Sequence, residues 1–264
     1  WLVCTPSARL EEKVESVTSE YMAEGTLAHE IAEFKLRNYF FDGLNKRSYN
    51  AKMKKFEKEE YYNPEMQGHT DIYVDYIKSL VLQETSKPFV AIEQKVDFSS
   101  YVPEGFGTAD FLMIQGDTLH IIDFKYGKGV EVSAENNPQM KLYALGALEQ
   151  FKILYPIMKV KMSIVQPRID NISEFEMLAG ELQMWGNTVV RVQAEKAFKG
   201  EGEFVSGEHC RFCRVKGTCR YRSESNLKKI EEAKSTPILS NKELGEVLTK
   251  VEGLDNWIKD LKEE

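Results

Sequence analysis

No stretch of the chain approaches the roughly 18 consecutive apolar residues that a membrane-spanning helix requires, so no membrane partner is expected. Cysteine is scarce, with four in 264 residues, too few for a disulfide framework in a chain of this size. Basic residues are not in excess: Lys+Arg 35 against Asp+Glu 42 gives a net charge of −7. That balance argues against wholesale coating of nucleic acid or anionic lipid and leaves room for a local basic groove. No charged segment followed by an apolar one opens the sequence at Trp1, and the protein is expected to be cytoplasmic. There is no internal repeat or low-complexity tract. What is present, 42% hydrophobic and 11% aromatic side chains, suffices for one large compact domain, or a domain with a small appendage.

The few cysteines are grouped. Three fall in Cys210-x2-Cys213-x5-Cys219, with the fourth at Cys4, a spacing that points to metal chemistry. Around them Arg211, Arg214, Lys216, Arg220 and Arg222 against Glu208 make the segment locally basic. Such a patch suits either phosphate contact or a solubilising surface.

Periodicity organises the rest. Residues 19–40 read as a helix that is apolar on two faces, with Leu27, Ile31 and Phe34 in one stripe and His29, Leu36 and Phe40 roughly opposite. The segment 51–62 reads as a solvated charge run and 71–83 as another helix. The period then changes to two: residues 90–98, 111–115 and 119–126 are predicted strands, the last two joined by the hairpin signal Gly116-Asp117. Asn137-Pro138 supplies an N-cap and a first-turn proline for a helix to about residue 154. A strand over 162–166 and a helix over 174–198 follow. Strands, a crossover helix and a further strand predict a mixed α/β sheet flanked by helices. Near the end, Ser240 with Glu243 forms a capping box. Leu244, Val247, Val251, Leu254, Ile258 and Leu261 form a short heptad seam, for packing on the same domain or on a partner helix.

The hairpin carries the chemistry. With Gly116 and Asp117 in the turn, Gln115 pairs with Thr118 and Asp110 falls opposite Asp123. Two carboxylates about 5 Å apart repel by roughly 3 kcal/mol at an effective dielectric of 20. A divalent cation between them reverses the sign, and oxygen ligands favour Mg²⁺ or Mn²⁺. Period two sends Lys125 to the same face as Asp123, and Glu93 on the preceding strand is a further carboxylate. Carboxylates, a lysine and a divalent cation in one cleft suit phosphodiester hydrolysis. Gln139 and Tyr143, at i and i+4, share one face at the start of the next helix, an end suited to phosphate.

Gly25-x3-His29, Gly107-Thr-Ala-Asp110, Asp123-Phe-Lys125 and Gln139-x3-Tyr143, in this order, resemble the RecB-like branch of the PD-(D/E)XK nucleases. The resemblance implies a restriction-endonuclease-like core with N- and C-terminal helical additions. It implies metal held by His29, Asp110, Asp123 and the carbonyl of Phe124, a catalytic Lys125, and support or strand binding by Gln139 and Tyr143. Glu93 would lie at the mouth of the site. A subset of that branch, including the AddB nuclease domain and CRISPR-associated RecB-like exonucleases, places one cysteine before the core and three after it around a [4Fe-4S] cluster. Cys4, Cys210, Cys213 and Cys219 fit that pattern. Zinc with four cysteine ligands is the competing assignment, and His209 is a substitute ligand. The opening Trp1-Leu-Val-Cys4-Thr-Pro6 and Gln166-Pro167-Arg168 further resemble phage and prophage proteins of this type.

Two functions are therefore carried forward. One is a Mg²⁺- or Mn²⁺-dependent DNA exonuclease acting in phage recombination or repair, with a nuclease domain over 1–222 and a helical appendage over 223–264. The other is a catalytically silent nuclease-fold module that binds DNA or a recombination or single-strand-binding protein.

Overall fold

The computed structural model describes residues 1–14, 20–83, 86–233, 242, 245–246, 248–249 and 253–263. The chain forms two compact units, 18–188 and 1–17 together with 189–264.

Residues 18–188 are built on a five-stranded sheet in the order β1-β2-β3-β4-β5. The strands are β1 (Phe89–Asp97), β2 (Phe106–Gln115), β3 (Thr118–Phe124), β4 (Lys159–Gln166) and β5 (Asn171–Leu178). Only β3 and β4 run parallel, as a crossover helix between them demands. That helix, α5 (Pro138–Phe151), starts where the sequence predicts: the Asn137 side chain accepts from the N–H groups of Gln139 and Met140, and Pro138 occupies the first turn. The mixed sheet flanked by helices is thus the expected class.

Three further helices precede the sheet: α2 (Glu20–Arg37), α3 (Lys46–Phe56) and α4 (Glu65–Gln83). The short α1 (Ser7–Glu11) belongs to the other unit. Ile31 and Leu36 of α2, Tyr73 and Ile77 of α4, and Phe111 and Phe124 of the sheet are all buried in one core cluster. The Tyr73 and Phe124 rings stack at 4.7 Å, and full burial of side chains this size contributes about 1.5–3 kcal/mol each. A buried polar chain also ties α4 to the sheet. His120 Nε2 lies 2.7 Å from Ser163 Oγ, to which the Tyr76 hydroxyl also bonds at 3.1 Å.

Several expectations change. The first half of the charge run over 51–62 is helical: α3 ends at Phe56, buries Met53 and Phe56 and displays its lysines. The helix expected over 174–198 begins as strand β5, whose residues alternate between half-buried and exposed along an edge paired to β4. Period two in Ser-Glu-Phe-Glu-Met had signalled this. Helix resumes only as α6 (Ala179–Trp185) and α7 (Arg191–Lys199), with a π-helical turn at Gly186–Val190 between them.

In the second unit, Arg9 of α1 bonds the Phe198 carbonyl and Thr5 bonds that of Glu201 at 2.5 Å. The division expected after residue 222 falls inside a continuous helix, α8 (Arg220–Ala233). Arg222 and Lys216 both pair with Asp260, at 2.6 and 2.8 Å, on the last helix α9 (Leu254–Glu263). Two members of the expected basic patch therefore share one carboxylate, and Arg220 stands 4.0 Å from Glu224. The capping box at Ser240 and Glu243 and the seam positions Leu244, Val247 and Val251 lie outside the described residues. In α9 the buried side chains are Leu254, Trp257 and Asp260, while Ile258 and Leu261 are exposed. Its inward stripe is thus offset from the heptad seam.

Candidate metal and hydrolytic site

The hairpin register is as predicted, with Phe111 opposite Ile122 and Gln115 opposite Thr118. Beyond Phe111 the ladder stops. The Asp110 carboxylate takes the place of a backbone acceptor, receiving the Phe124 N–H on Oδ2 at 2.7 Å. β3 continues instead along β4, where Lys125 donates its N–H to the Val165 carbonyl at 2.9 Å. Asp110 and Asp123 thus sit where two strands part.

β1 adds the third carboxylate. Ile92 pairs with Phe111 and Gln94 with Ala109, which places Glu93 beside Asp110. Glu93 has φ 50, a left-handed value that non-glycine residues rarely adopt and that clusters at functional sites. It inverts the alternation of the strand. Ile92 is buried in the core with α2 and α4, yet Val96, four residues on, faces α5, its Cβ 3.1 Å from where one on Gly146 would stand. The inversion turns Glu93 toward His29, and ligand atoms of His29, Glu93 and Asp110 lie within 4.8 Å of one another. His29 Nδ1 is 3.3 Å from Asp110 Oδ1, and the His29 ring leans on Phe124, centroids 5.2 Å apart.

On the other side of Asp110 a relay of side chains runs from sheet to helix. Lys125 Nζ lies 3.1 Å from Asp123 Oδ2, donates to Oδ1 at 3.3 Å, and donates to Gln139 Oε1 at 3.1 Å. Gln139 Nε2 in turn donates to the Tyr143 hydroxyl at 3.0 Å. A Cβ on Gly107 would collide with the Tyr143 ring, so the glycine of Gly107-Thr-Ala-Asp110 is the space in which that tyrosine packs. Asp123 Oδ2 is buried with no hydrogen-bond donor aligned on it, and the cation facing it is the Lys125 ammonium at 3.1 Å.

The electrostatics agree. Burial and then the Asp110 charge push Asp123 up to about 6, against the pull of Lys125. Burial, Asp110 and Glu33 push Glu93 up to about 7, against His29 and Arg37. Burial lowers His29, but its bond to Asp110 and the fields of Asp110, Asp123 and Glu93 outweigh that and leave it raised. A carboxyl held above its unfolded value keeps its proton longer in the fold, so the metal-free native protein binds more protons than the unfolded chain. Stability in EDTA is therefore expected to fall as pH rises from about 4 through about 7, with the full loss above that window. Urea melts at pH 5 and pH 8 measure it, and Asp123→Asn should flatten the slope. An equal slope in wild type and variant would contradict the carboxylate field.

His29, Asp110, Asp123, Lys125, Gln139 and Tyr143, all candidates from the sequence, lie near one another through these contacts. Sequence reasoning left Glu93 loosely placed, because eight residues, 98–105, separate β1 from β2 and no short turn sets that register. His120 stands apart, buried and held near 3 by burial and then by Lys161.

The second unit holds the cysteines. Cys4 and Cys210 are buried, Cys213 and Cys219 half-buried, and all four are unpaired thiols lining one cavity of about 260 Å³ with His209, Glu11 and Trp1. Burial, then a bond to Glu11 and the charges of Glu11 and Cys210, push the Cys213 thiol up to about 12, against a backbone bond from Val215. A thiol of that kind is deprotonated only by a strong local cation.

Fold and site together define a mixed α/β protein in which three carboxylates, a histidine and a lysine converge where strands part, with a four-thiol cavity in a second unit. The chain belongs to the family described as "Protein of unknown function (DUF2800)", whose model matches residues 1–264. Among solved structures it is similar to one described as "Crystal structure of SSO0001", at 16% identity over 83% of this chain and 95% of that chain, with a TM-score of 0.34.

Proposed function

We propose that the protein is a Mg²⁺- or Mn²⁺-dependent deoxyribonuclease of the RecB-like PD-(D/E)XK type, acting on DNA ends in phage recombination or repair. The observation that carries this reading is the grouping of His29, Glu93 and Asp110, with ligand atoms within 4.8 Å of one another, beside the buried Asp123 and its partner Lys125. His29, Asp110 and Glu93, whose ligand atoms lie within 4.8 Å of one another, would hold the cation together with Asp123, with the Phe124 carbonyl as a backbone ligand. A bound divalent cation supplies Lewis acidity toward a phosphate and lowers the pKa of water. The chain does the positioning. Lys125 is pinned between Asp123 and Gln139, so its ammonium faces the ligand carboxylate and can orient a water or a phosphate oxygen. Tyr143 holds Gln139 in turn, and its ring is seated against Gly107.

In the second unit, Cys4, Cys210, Cys213 and Cys219 would hold a [4Fe-4S] cluster. Zinc, which would draw the four thiolates into a closed tetrahedron at about 2.3 Å from each sulfur, is the competing assignment. The cluster has no redox task in hydrolysis and serves as a staple.

End-labelled linear and circular DNA, incubated with anaerobically purified protein and Mg²⁺ or Mn²⁺, test the reading. Metal-dependent shortening of the linear DNA is expected. Binding without cleavage of either form would favour a silent DNA- or partner-binding module instead. Imidazole suits softer metals than Mg²⁺, so His29→Ala should narrow the ratio of Mn²⁺- to Mg²⁺-supported rates. An unchanged ratio would remove His29 from the metal.

A further inference from the structure

Phe106, the first residue of β2, is 65% exposed. A single exposed aromatic is ordinary on a protein surface, but this one continues the row of the site. Val96 and Gly107 are register partners and both face α5. Side chains alternate along a strand, so the flanking pairs, Lys95 with Thr108 and Asp97 with Phe106, point to the opposite face, toward which Glu93 meets His29. All four of these residues are exposed, and this end of the sheet face is uncovered. Lys95 Nζ stands 4.9 Å from the centroid of the Phe106 ring. Asp97 is occupied elsewhere, its carboxylate accepting the Ser99 N–H at 2.8 Å in the turn after β1. Accepting that N–H leaves Asp97 ionised beside the ring, while the group that stands over the ring itself is Lys95.

Phe106 is four residues from Asp110 on the same strand, or about 14 Å at 3.4 Å per residue. Stacked nucleotides advance about 3.4 Å per step along one strand and further when unstacked, so a strand cleaved at the carboxylates would pass the ring within a few nucleotides. A phenyl face offers no hydrogen bonds and a duplex presents only base edges; the partner that fits the ring is an unpaired base, with Lys95 against the adjoining phosphate.

We infer that Phe106 and Lys95 form a stacking platform for an unpaired base, which makes single-stranded DNA, or a single-stranded tail, the substrate class of the site. This rests on the nuclease reading above. The test measures anisotropy of labelled single-stranded and duplex oligonucleotides in the cleavage-silent Asp123→Asn background. Phe106→Ala should weaken single-strand binding by about tenfold, as loss of one stacked base does, with duplex binding and melting temperature unchanged. Phe106→Trp should restore it. Unchanged single-strand affinity in Phe106→Ala, or equal losses on both DNA forms, would overturn the platform while leaving the nuclease reading intact. Failure of the Asp123→Asn parent to bind either form would count against the nuclease reading itself, and the platform would fall with it.

Discussion

Asp123→Asn is expected to abolish metal-dependent cleavage and, in the same protein, to raise the metal-free melting temperature at pH 8. Both effects come from one buried carboxylate. Asp123 is held up to about 6 by burial and by Asp110, so its ionised form destabilises the metal-free fold, and the isosteric amide removes that cost. The amide cannot supply a negative ligand to the cation. A loss of about a thousandfold or more follows if ligand charge and lysine positioning act as one unit, since such units fail together when one member is removed. Lys125→Ala should lose cleavage to a similar degree by a different route. It removes the partner of both Asp123 and Gln139, leaves the carboxylate less compensated, and so should lower metal-free stability where Asp123→Asn raises it. Asp110→Ala should also abolish cleavage, and it frees the Phe124 N–H that Asp110 accepts. Parallel cleavage assays and thermal melts in EDTA check all three. Robust cleavage by Lys125→Ala would refute the lysine's assigned role, and a lower melting temperature for Asp123→Asn would refute the electrostatic account.

Cys4→Ala carries the second large effect. Cys4 and Cys210 are 206 positions apart in the chain, and in the chain-entropy model a cross-link closing a loop of about 200 residues stabilises by roughly 5 kcal/mol. An ordinary domain has a total of only about 5–15 kcal/mol. The proposed staple would add to contacts that hold the first residues in place, namely Arg9 on the Phe198 carbonyl and Thr5 on the Glu201 carbonyl. The expected result for anaerobically prepared protein is a melting temperature lower by about 10 °C or more in Cys4→Ala, with loss of iron and acid-labile sulfide. Stripping the metal from wild type should reproduce the drop, and stripping it from Cys4→Ala should cause little further change. Wild type that holds stoichiometric zinc and no sulfide would replace the cluster with the single-ion assignment. Wild type whose melting temperature ignores metal removal would dispose of the staple in either form.

Local rules account for a good part of the fold. The Gly116-Asp117 turn sets the β2–β3 register, because a two-residue loop leaves one pairing, and extending that register brings Asp110 level with Asp123 although the ladder ends at Phe111 and Ile122. Asn137-Pro138 set the start of α5, and with it the common face of Gln139 and Tyr143. Where a signal was mixed the reading slipped. Charge outnumbered the two inward residues of α3, and β5 was absorbed into the helix that follows it, because an edge strand with one half-buried face carries a weak apolar pattern.

The sequence by itself thus determined the side-chain faces of β2, β3 and the start of α5, since periods of two and 3.6 and short turns act within a few residues. Only the tertiary structure decided what depends on distant segments meeting. The left-handed Glu93 that inverts β1 and swings its carboxylate to His29, the parting of β2 and β3 filled by the Asp110 carboxylate, and the seating of Tyr143 over Gly107 all arise from packing between elements. The same holds for Cys4 lining one cavity with the cysteines of the 210–219 segment: spacing groups three thiols, but the fourth reaches that cavity through contacts of the first residues with α7, which no local pattern encodes.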